Sequence, residues 1–203
     1  MEFETVLANQ QVVPVITLDD LDLAMPMAEA LLAGGISILE ITLRTPNSLK
    51  VLEVLAQDNR FTVGAGSVNT TKQLDEAASA GAKFIVSPGS YEPLIKAVLS
   101  TKLPYLPGVA TPSEILLNLN LGLEIVKFFP AKILGGPSAI KTISAPFPTI
   151  KFMPTGSITA ADYSEYLALP NVVAVGGSWM VKPELIKAKN WSEITRLASL
   201  RDN

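Results

Sequence analysis

A single lysine stands inside an apolar run in the second half of the chain. Lys127 lies in the segment Ile125-Val126-Lys127-Phe128-Phe129, which has the short apolar character of a buried strand. Burying an unpaired ammonium is costly, but a desolvated lysine amine is a usable nucleophile toward a carbonyl carbon. The alternative is a lysine whose stem lies along the sheet while its head reaches water. Lys151 is a rival, but it closely follows Pro148, so we expect it at the opposite end of its strand.

A carboxylate and a guanidinium share one face of an earlier predicted strand. Residues 39–44 alternate between apolar and polar types, so Glu40, Thr42 and Arg44 lie on one face. We expect the apolar set to pack under helices, which leaves Glu40 and Arg44 pointing into the interior near the active end of the strand. The alternative is a buried structural ion pair between these two side chains.

Three glycine-rich segments follow predicted strands. They are Gly64-Ala65-Gly66-Ser67, Thr155-Gly156-Ser157 and Gly176-Gly177-Ser178. In barrels that bind phosphate, the anion lies at the loops after the last two strands, where backbone amides face it. Short glycine loops also occur merely as tight turns, so each segment alone is a weak signal. Ser87-Pro88-Gly89 and Pro107-Gly108-Val109 are candidates for the pocket wall, with rigid turns as the alternative.

The elements that must position these residues alternate along the whole chain. Short apolar runs recur regularly and are separated by segments with helical spacing, the pattern of repeated βα units. Eight strands are predicted, at residues 12–18, 36–43, 61–66, 84–87, 104–107, 124–129, 149–154 and 172–175. Helices are predicted near 3–9 and at 22–33, 46–57 and 183–200, with Thr70, Thr111, Ser138 and Thr159 as caps of others.

Eight βα units predict one α/β domain over residues 1–203, a (β/α)8 TIM barrel with a short N-terminal helix. The fold typically takes about 250 residues, so short loops are expected. An open doubly wound sheet is the alternative. In a barrel the chemistry lies at the carboxyl ends of the strands, where Lys127 and the glycine segments fall.

Histidine and cysteine do not occur in the sequence. The chain therefore lacks the commonest general base and the commonest metal ligand, and we expect no metal. The formal net charge is −3 and no run of basic residues stands out, which gives nucleic-acid binding little electrostatic support. No apolar run reaches the roughly 18 residues of a spanning helix, and residues 1–5 are acidic, unlike the start of a signal peptide. We expect a cytoplasmic protein that binds no membrane.

Six motifs occur in order along the chain. They are Glu40-Ile41-Thr42-Leu43-Arg44-Thr45, Gly64-Ala65-Gly66, Ser87-Pro88-Gly89, Lys127-Phe128-Phe129-Pro130-Ala131, Pro154-Thr155-Gly156 and Gly176-Gly177-Ser178-Trp179. Together they resemble the 2-keto-3-deoxy-6-phosphogluconate (KDPG) / 4-hydroxy-2-oxoglutarate (KHG) aldolases over residues 13–179. The resemblance implies a class I lyase without metal or other cofactor, which splits KDPG into pyruvate and glyceraldehyde 3-phosphate in the Entner–Doudoroff route. Many relatives also split KHG into pyruvate and glyoxylate.

The resemblance also implies roles by position. Lys127 would form the Schiff base and Glu40 would move protons. The substrate-binding residues would be Arg44, at the carboxylate of the pyruvate end, with Gly66, Ser67, Pro88, Phe129 and Thr155. The phosphate would contact Gly156, Ser157, Gly177 and Ser178. The family is typically homotrimeric, so a homotrimer acting on a small 2-keto-4-hydroxy acid is expected.

Three positions depart from the family's pattern. Ser67 replaces a usual threonine and keeps its hydroxyl. Ser157 replaces the second glycine of the usual Pro-Thr-Gly-Gly turn, where it either crowds the phosphate or adds a donor to it. Lys132 stands where a glutamate is expected, which reverses a charge near the end of the catalytic strand.

Two other functions use the same residues differently. A phosphosugar-binding barrel isomerase or synthase would use the loops after strands seven and eight but would give Lys127 no covalent role. A catalytically inactive barrel would only bind a ligand or serve in an assembly. The joint presence of Glu40, Arg44 and Lys127 argues against the inactive barrel.

Overall fold

Short parallel strands form the framework of the molecule. The structure, a computed structural model, describes residues 3–7 and 10–199, with only the backbone at Phe3. The strands assigned over these residues are β1 Val12–Ile16, β2 Ile38–Thr42, β3 Thr62–Gly66, β4 Ile85–Val86, β5 Tyr105–Leu106, β6 Gly108–Val109, β7 Ile125–Phe128, β8 Lys151–Phe152 and β9 Val175–Gly177. The predicted strands are confirmed in order, most of them shortened at their ends.

The strands pair in two parallel sheets. The six-stranded sheet has the order β5-β4-β3-β2-β1-β9 and the three-stranded sheet has the order β6-β7-β8. Only Pro107 separates β5 from β6, and its carbonyl accepts a hydrogen bond of 2.8 Å from the amide of Lys127. Parallel bridges from Phe152 to Val172 and from Thr155 to Gly176 join the β8 region to the β9 region. The result is a curled parallel sheet of the α/β class.

Helices connect the strands and cover the sheet. Their bounds are α1 Phe3–Leu7, α2 Ala24–Ala33 after a 3-10 turn at Leu21–Leu23, α3 Ser48–Ala56, α4 Thr71–Ser79, α5 Glu92–Thr101, α6 Pro112–Asn120, α7 Gly136–Ser144, α8 Tyr163–Leu167, α9 Pro183–Lys187 and α10 Trp191–Ala198. Among the described residues, no helix is long and apolar enough to cross a membrane. Residues 8, 9 and 200, which the predicted end helices included, lie outside the described residues.

Some predicted boundaries are wrong for local reasons. Thr70 and Thr111 cap α4 and α6 as predicted. Ser138 is no cap, because Gly135 in a left-handed conformation precedes a helix that begins at Gly136. Thr159 is no cap either. The residue before α8 is Asp162, whose carboxylate accepts a hydrogen bond from the Thr159 amide.

The ends of the last two predicted elements are also shifted. The predicted helix over 183–200 is broken after Lys187, where Lys189 has a φ of 52°. Asn190 then caps α10, because its side-chain oxygen accepts a hydrogen bond from the Glu193 amide. The eighth predicted strand begins at Val175 rather than Val172, which forms only an isolated bridge.

The buried apolar side chains divide according to the two faces of the sheet. Leu39 and Ile41 of β2 belong to the large cluster that the sheet forms with the helices, as predicted. Ile38 belongs to a second, smaller cluster that also holds Val13, Phe84 and Met153 from other strands. Because side chains alternate along a strand, Glu40 shares the face of Ile38. This inner face carries the polar residues of the site.

Candidate active site

The predicted lysine and carboxylate meet on the inner face of the sheet. Lys127 lies on β7, where Val126 and Phe128 belong to the cluster under the helices, so its side chain takes the other face. Its Nζ lies 3.3 Å from Oε1 of Glu40, which is on β2. The two side chains are 7% and 1% exposed. A buried amine and a buried carboxylate therefore form a contact pair from strands of two different sheets.

An aromatic ring fixes the amine from another side. Lys127 Nζ lies 5.4 Å from the centroid of the Phe129 ring, within the range of a cation–π contact. Phe129 follows directly after β7 and lines the cavity described below. The head of Lys127 thus lies between a carboxylate and an aromatic wall of this cavity, and it does not extend to bulk water as the alternative interpretation required.

Gly66 makes room for the carboxylate of Glu40. In the register of β2 against β3, Gly66 pairs with Thr42, two residues beyond Glu40. A Cβ at Gly66 would lie 2.7 Å from Cγ of Glu40 and would overlap its Oε1. Ser67, with a φ of 58°, is half-buried beside it. Gly66 and Ser67 are outside the set of described residues that line the cavity, so their predicted contact with substrate stays a prediction.

A cavity of about 410 Å³ opens at the carboxyl ends of the strands. Arg44, Phe129 and Thr155, which were predicted to bind substrate, line it, as do the predicted phosphate-binding residues Gly156, Ser157, Gly177 and Ser178. Arg44 is the one charged side chain among the described lining residues. A cavity with one guanidinium and no facing carboxylate in that set is suited to an anionic ligand.

Arg44 does not pair with Glu40. It is exposed after the end of β2, and its Nη2 donates a hydrogen bond of 2.7 Å to Oγ1 of Thr17. The alternative interpretation of a buried Glu40–Arg44 ion pair is therefore wrong. Val15 of β1 and Thr17, which directly follows β1, also line the cavity, and neither was predicted from the sequence. Their alternating spacing places them on one face, but neither residue type is distinctive enough to indicate a site.

The two glycine segments after the last strands differ from each other. Gly156 and Ser157 form a tight turn with φ values of 110° and 58°. Gly176 and Gly177, predicted as a loop, are instead part of β9. They are glycines because the chain is closely packed there: a Cβ at Gly176 would overlap Thr155, and one at Gly177 would overlap the ring of Trp179.

Several polar atoms at the site have no protein partner. Oε2 of Glu40 and Oγ1 of Thr155 are buried and make no hydrogen bond. Within the described part of the chain, the backbone amides of Gly156, Ser157 and Ser178 also donate no hydrogen bond. Buried polar groups are rarely left unsatisfied, so the Glu40 and Thr155 oxygens indicate where a polar ligand or water binds. The three amides belong to half-buried or exposed residues and are open to a ligand or to solvent. No group of three or more described acidic side chains is placed to hold a metal ion.

Pro88 belongs to a loop that packs against β6, the strand paired with the strand of Lys127. Pro88 is exposed, and its backbone lies so close to Gly108 that a Cβ there would overlap it. Gly108 pairs with Lys127 in register.

Ser87 and Tyr105 share a buried hydrogen bond of 2.7 Å. Burial raises the pKa of Tyr105 to about 12, against the opposing effect of the Ser87 hydrogen bond. The loop is fixed next to the site, but its contact with substrate stays a prediction.

Two further lysines have structural partners. Lys151, the rival nucleophile, forms an ion pair of 2.8 Å with Glu4 of α1 and lines a different cavity at the amino end of the strands, as its position predicted. Lys132 forms an ion pair of 2.7 Å with Asp162. Partial burial raises the pKa of Asp162, but hydrogen bonds from Lys132 and Thr159 outweigh it and hold that pKa below its ordinary value.

A buried lysine paired with a carboxylate, on the inner face of a curled parallel sheet beside a cavity lined by one guanidinium, is the arrangement that a lyase of the Schiff-base class requires. The family model for KDPG and KHG aldolase matches residues 3–197. A KHG/KDPG aldolase of Escherichia coli is 44% identical over 196 residues, which are 96% of this chain and 92% of that protein. The chain belongs to the KDPG and KHG aldolase family.

Solved structures are similar over almost the whole chain. A KDPG aldolase from Legionella pneumophila, with pyruvate captured at low pH as a covalent carbinolamine intermediate, is 46% identical with a TM-score of 0.95. The similarity covers 98% of this chain and 97% of that one. The KDPG aldolase of Zymomonas mobilis with 3-phosphoglycerate is 41% identical, with a TM-score of 0.91, over 97% of this chain and 93% of that one.

Proposed function

We propose that this protein is a class I aldolase that cleaves KDPG to pyruvate and glyceraldehyde 3-phosphate and also acts on KHG. The observation that carries the proposal is the buried contact between Lys127 Nζ and Glu40 Oε1. An imine-forming amine needs a proton-transfer partner within reach, and in a chain without histidine a carboxylate is the natural one. The Legionella relative, captured as a pyruvate carbinolamine, supports a covalent route.

In the first half of the reaction, Lys127 is the nucleophile. Its neutral amine attacks the C2 carbonyl carbon of the substrate, and the carbinolamine that forms takes up a proton and loses water to give an iminium. The positively charged iminium withdraws electrons from C3. Breaking the C3–C4 bond then leaves an enamine, which is far more stable than a free carbanion. This sink for the electron pair is what the covalent bond to Lys127 supplies.

In the second half of the reaction, Glu40 transfers the protons. Its carboxylate takes the proton of the C4 hydroxyl, directly or through water, and the C3–C4 electron pair moves into the enamine as the aldehyde leaves. Glu40 then returns a proton to C3, and water hydrolyses the resulting iminium to pyruvate and the free amine. The unpaired Oε2 of Glu40 leaves an oxygen available for these transfers while Oε1 contacts Lys127.

The cavity supplies two places for negative charge. We assign Arg44 to the carboxylate of the pyruvate end, because it is the charged side chain among the described lining residues. We assign the phosphate to the turn at Gly156 and Ser157 and to the chain at Gly177 and Ser178, where several amides lack a protein acceptor. The Zymomonas relative was solved with 3-phosphoglycerate, a ligand that has both a carboxylate and a phosphate, which supports a site with places for two anionic groups.

The assembly and the closed barrel are also proposals. The bridges at Val172 and Gly176, together with the continuity of β5 and β6 through Pro107, support closure of the curled sheet into a (β/α)8 barrel formed by one domain, residues 1–203. Ile133 and Leu134 are exposed by 77% and 38%, which supports an apolar contact in a homotrimer. The cytoplasmic location and the lack of nucleic-acid and membrane partners stay predictions from the sequence.

The test is pyruvate release from KDPG and KHG, measured side by side. We expect KDPG to be preferred in kcat/KM by tenfold or more, since charge-assisted hydrogen bonds contribute roughly 1.5–3 kcal/mol each. Ser157 is exposed and lines the cavity, so its hydroxyl adds a donor, and Ser157→Gly should lower the preference by roughly threefold to tenfold. Pyruvate trapping, which involves no phosphate, is the control and should not change.

Other results would decide against parts of this assignment. A preference that rises in Ser157→Gly would mean that the hydroxyl crowds the phosphate. Equal efficiency on both substrates in both proteins would remove the phosphate assignment. No pyruvate from either substrate would remove the aldolase.

Metal removal should not affect the reaction. The iminium on Lys127 stabilises the developing negative charge at C3, so no Lewis acid is needed for that step. We expect full kcat after exhaustive treatment with EDTA, measured as pyruvate release from KDPG. A large loss that Mg²⁺ or Mn²⁺ restores would contradict the imine mechanism, and the same treatment of a known zinc enzyme serves as the positive control.

A further inference from the structure

Two threonine hydroxyl groups and the Arg44 side chain form a continuous series of hydrogen bonds. Thr17 follows β1 directly, beside the end of β2, and its Oγ1 accepts the hydrogen bond of 2.7 Å from Arg44 Nη2. The same Oγ1 lies 2.9 Å from Oγ1 of Thr42, whose side chain is buried. Thr42 Oγ1 in turn donates a bond of 2.9 Å to the backbone carbonyl of Ile16.

The direction of each bond in this series follows from counting hydrogens. A threonine hydroxyl has one hydrogen and can accept further bonds through its lone pairs. Thr42 uses its hydrogen on the Ile16 carbonyl, which can only accept. The bond between the two threonines must therefore be donated by Thr17. The Thr17 oxygen then faces Arg44 as an acceptor, and the guanidinium can only donate.

We propose that Thr17 is a positioning residue that holds the Arg44 guanidinium ready for the carboxylate of the substrate. One of the five N–H groups of Arg44 is directed to Thr17, and the others stay available to an anion in the cavity that both residues line. An exposed arginine otherwise samples many rotamers, and binding must overcome that entropy. The hydroxyl chain lowers this cost before the substrate arrives. The inference rests on the carboxylate-binding role proposed for Arg44.

The test compares Thr17→Val, Thr17→Ser and a matched control. Valine keeps the shape and removes the acceptor, whereas serine keeps the hydroxyl. Thr45→Val is the control, because the Thr45 hydroxyl also links the segment after β2 to the segment after β1, through a bond of 2.8 Å donated to the Leu18 carbonyl. Among the described residues it makes no side-chain hydrogen bond to Arg44. We expect Thr17→Val to raise KM for KDPG about fivefold, which corresponds to the loss of one typical hydrogen bond. The value of kcat should stay within about twofold of wild type. Thr17→Ser should restore the wild-type KM.

A ligand without a carboxylate separates positioning from a general structural role. Borohydride trapping on the wild type and on Thr17→Val should be run with pyruvate and with acetone, a smaller methyl ketone that lacks the carboxylate. The pyruvate concentration for half-maximal trapping should rise about fivefold in Thr17→Val, whereas the acetone value should stay the same.

Each other outcome decides against the inference. An equal shift for acetone and pyruvate, an equal shift in Thr45→Val, or no shift in KM would show that Thr17 does not position Arg44. Failure of the proposed function would look different, because wild-type protein would then trap neither ketone on Lys127.

Discussion

Substituting Lys127 by methionine should reduce pyruvate release from KDPG to background, on the order of 10⁴-fold or more, as for other groups that carry a covalent step. The physical reason is that no other group at the site can provide the electron sink. Treatment with pyruvate plus borohydride should inactivate the wild-type protein irreversibly, and peptide mapping should place the reduced adduct on Lys127. Lys127→Met should acquire no adduct under the same conditions.

The matched control for this experiment is Lys151→Met. Lys151 also lies on a strand and also pairs with a glutamate, Glu4, but at the opposite end of the sheet. The substitution should preserve both turnover and labelling. An adduct on Lys151 in the wild type, or turnover that survives in Lys127→Met, would remove the proposed nucleophile.

Substituting Glu40 by glutamine should separate imine formation from proton transfer. The amide is nearly isosteric with the carboxylate, so it should fit over Gly66 and still leave Lys127 able to trap pyruvate. Exchange of the pyruvate methyl protons with solvent deuterium requires a base and should fall by about 10²–10⁴, the usual contribution of one proton-transfer group. The measurement is loss of the methyl signal in a proton NMR time course.

The pair formed by Lys151 and Glu4 again offers the control. Glu4→Gln removes a carboxylate from a lysine 2.8 Å away without touching the site. Its exchange rate should match that of the wild type. Exchange near the wild-type rate in Glu40→Gln would show that another group is the base, even if trapping on Lys127 is intact.

The faces of the strands were predictable because their period is fixed by covalent geometry. Alternation along the predicted strand placed Glu40 on the inner face. The structure confirms that placement and shows Lys127 on the same face. Their contact was not predictable in the same way, since 87 residues separate them and only the assembled sheets bring them within 3.3 Å. The alternative of a buried ion pair between Glu40 and Arg44 was wrong for a different reason. Arg44 lies beyond the end of β2, where the alternation of a strand no longer decides the direction of a side chain.

The remaining errors arise where short-range signals compete. Gly176 and Gly177 look like a turn by composition, yet Thr155 and the Trp179 ring pack so closely that only glycine fits in the strand. Ser138 looks like a cap by residue type, yet the left-handed Gly135 starts the helix earlier. Thr17 has an ordinary residue type and gains its role only from the hydroxyl chain that tertiary structure creates.

The pairing of β9 with β1 affects how the protein is made. Strand β1, the first described strand along the chain, has β2 and β9 as its neighbours, and β9 ends at Gly177. A nascent chain that already contains both Glu40 and Lys127 therefore still has an unpaired edge at β1, the kind of edge that other chains can bind. Within the chain, the edge of β1 gains its partner only after residues 175–177 have been synthesised, well after Lys127.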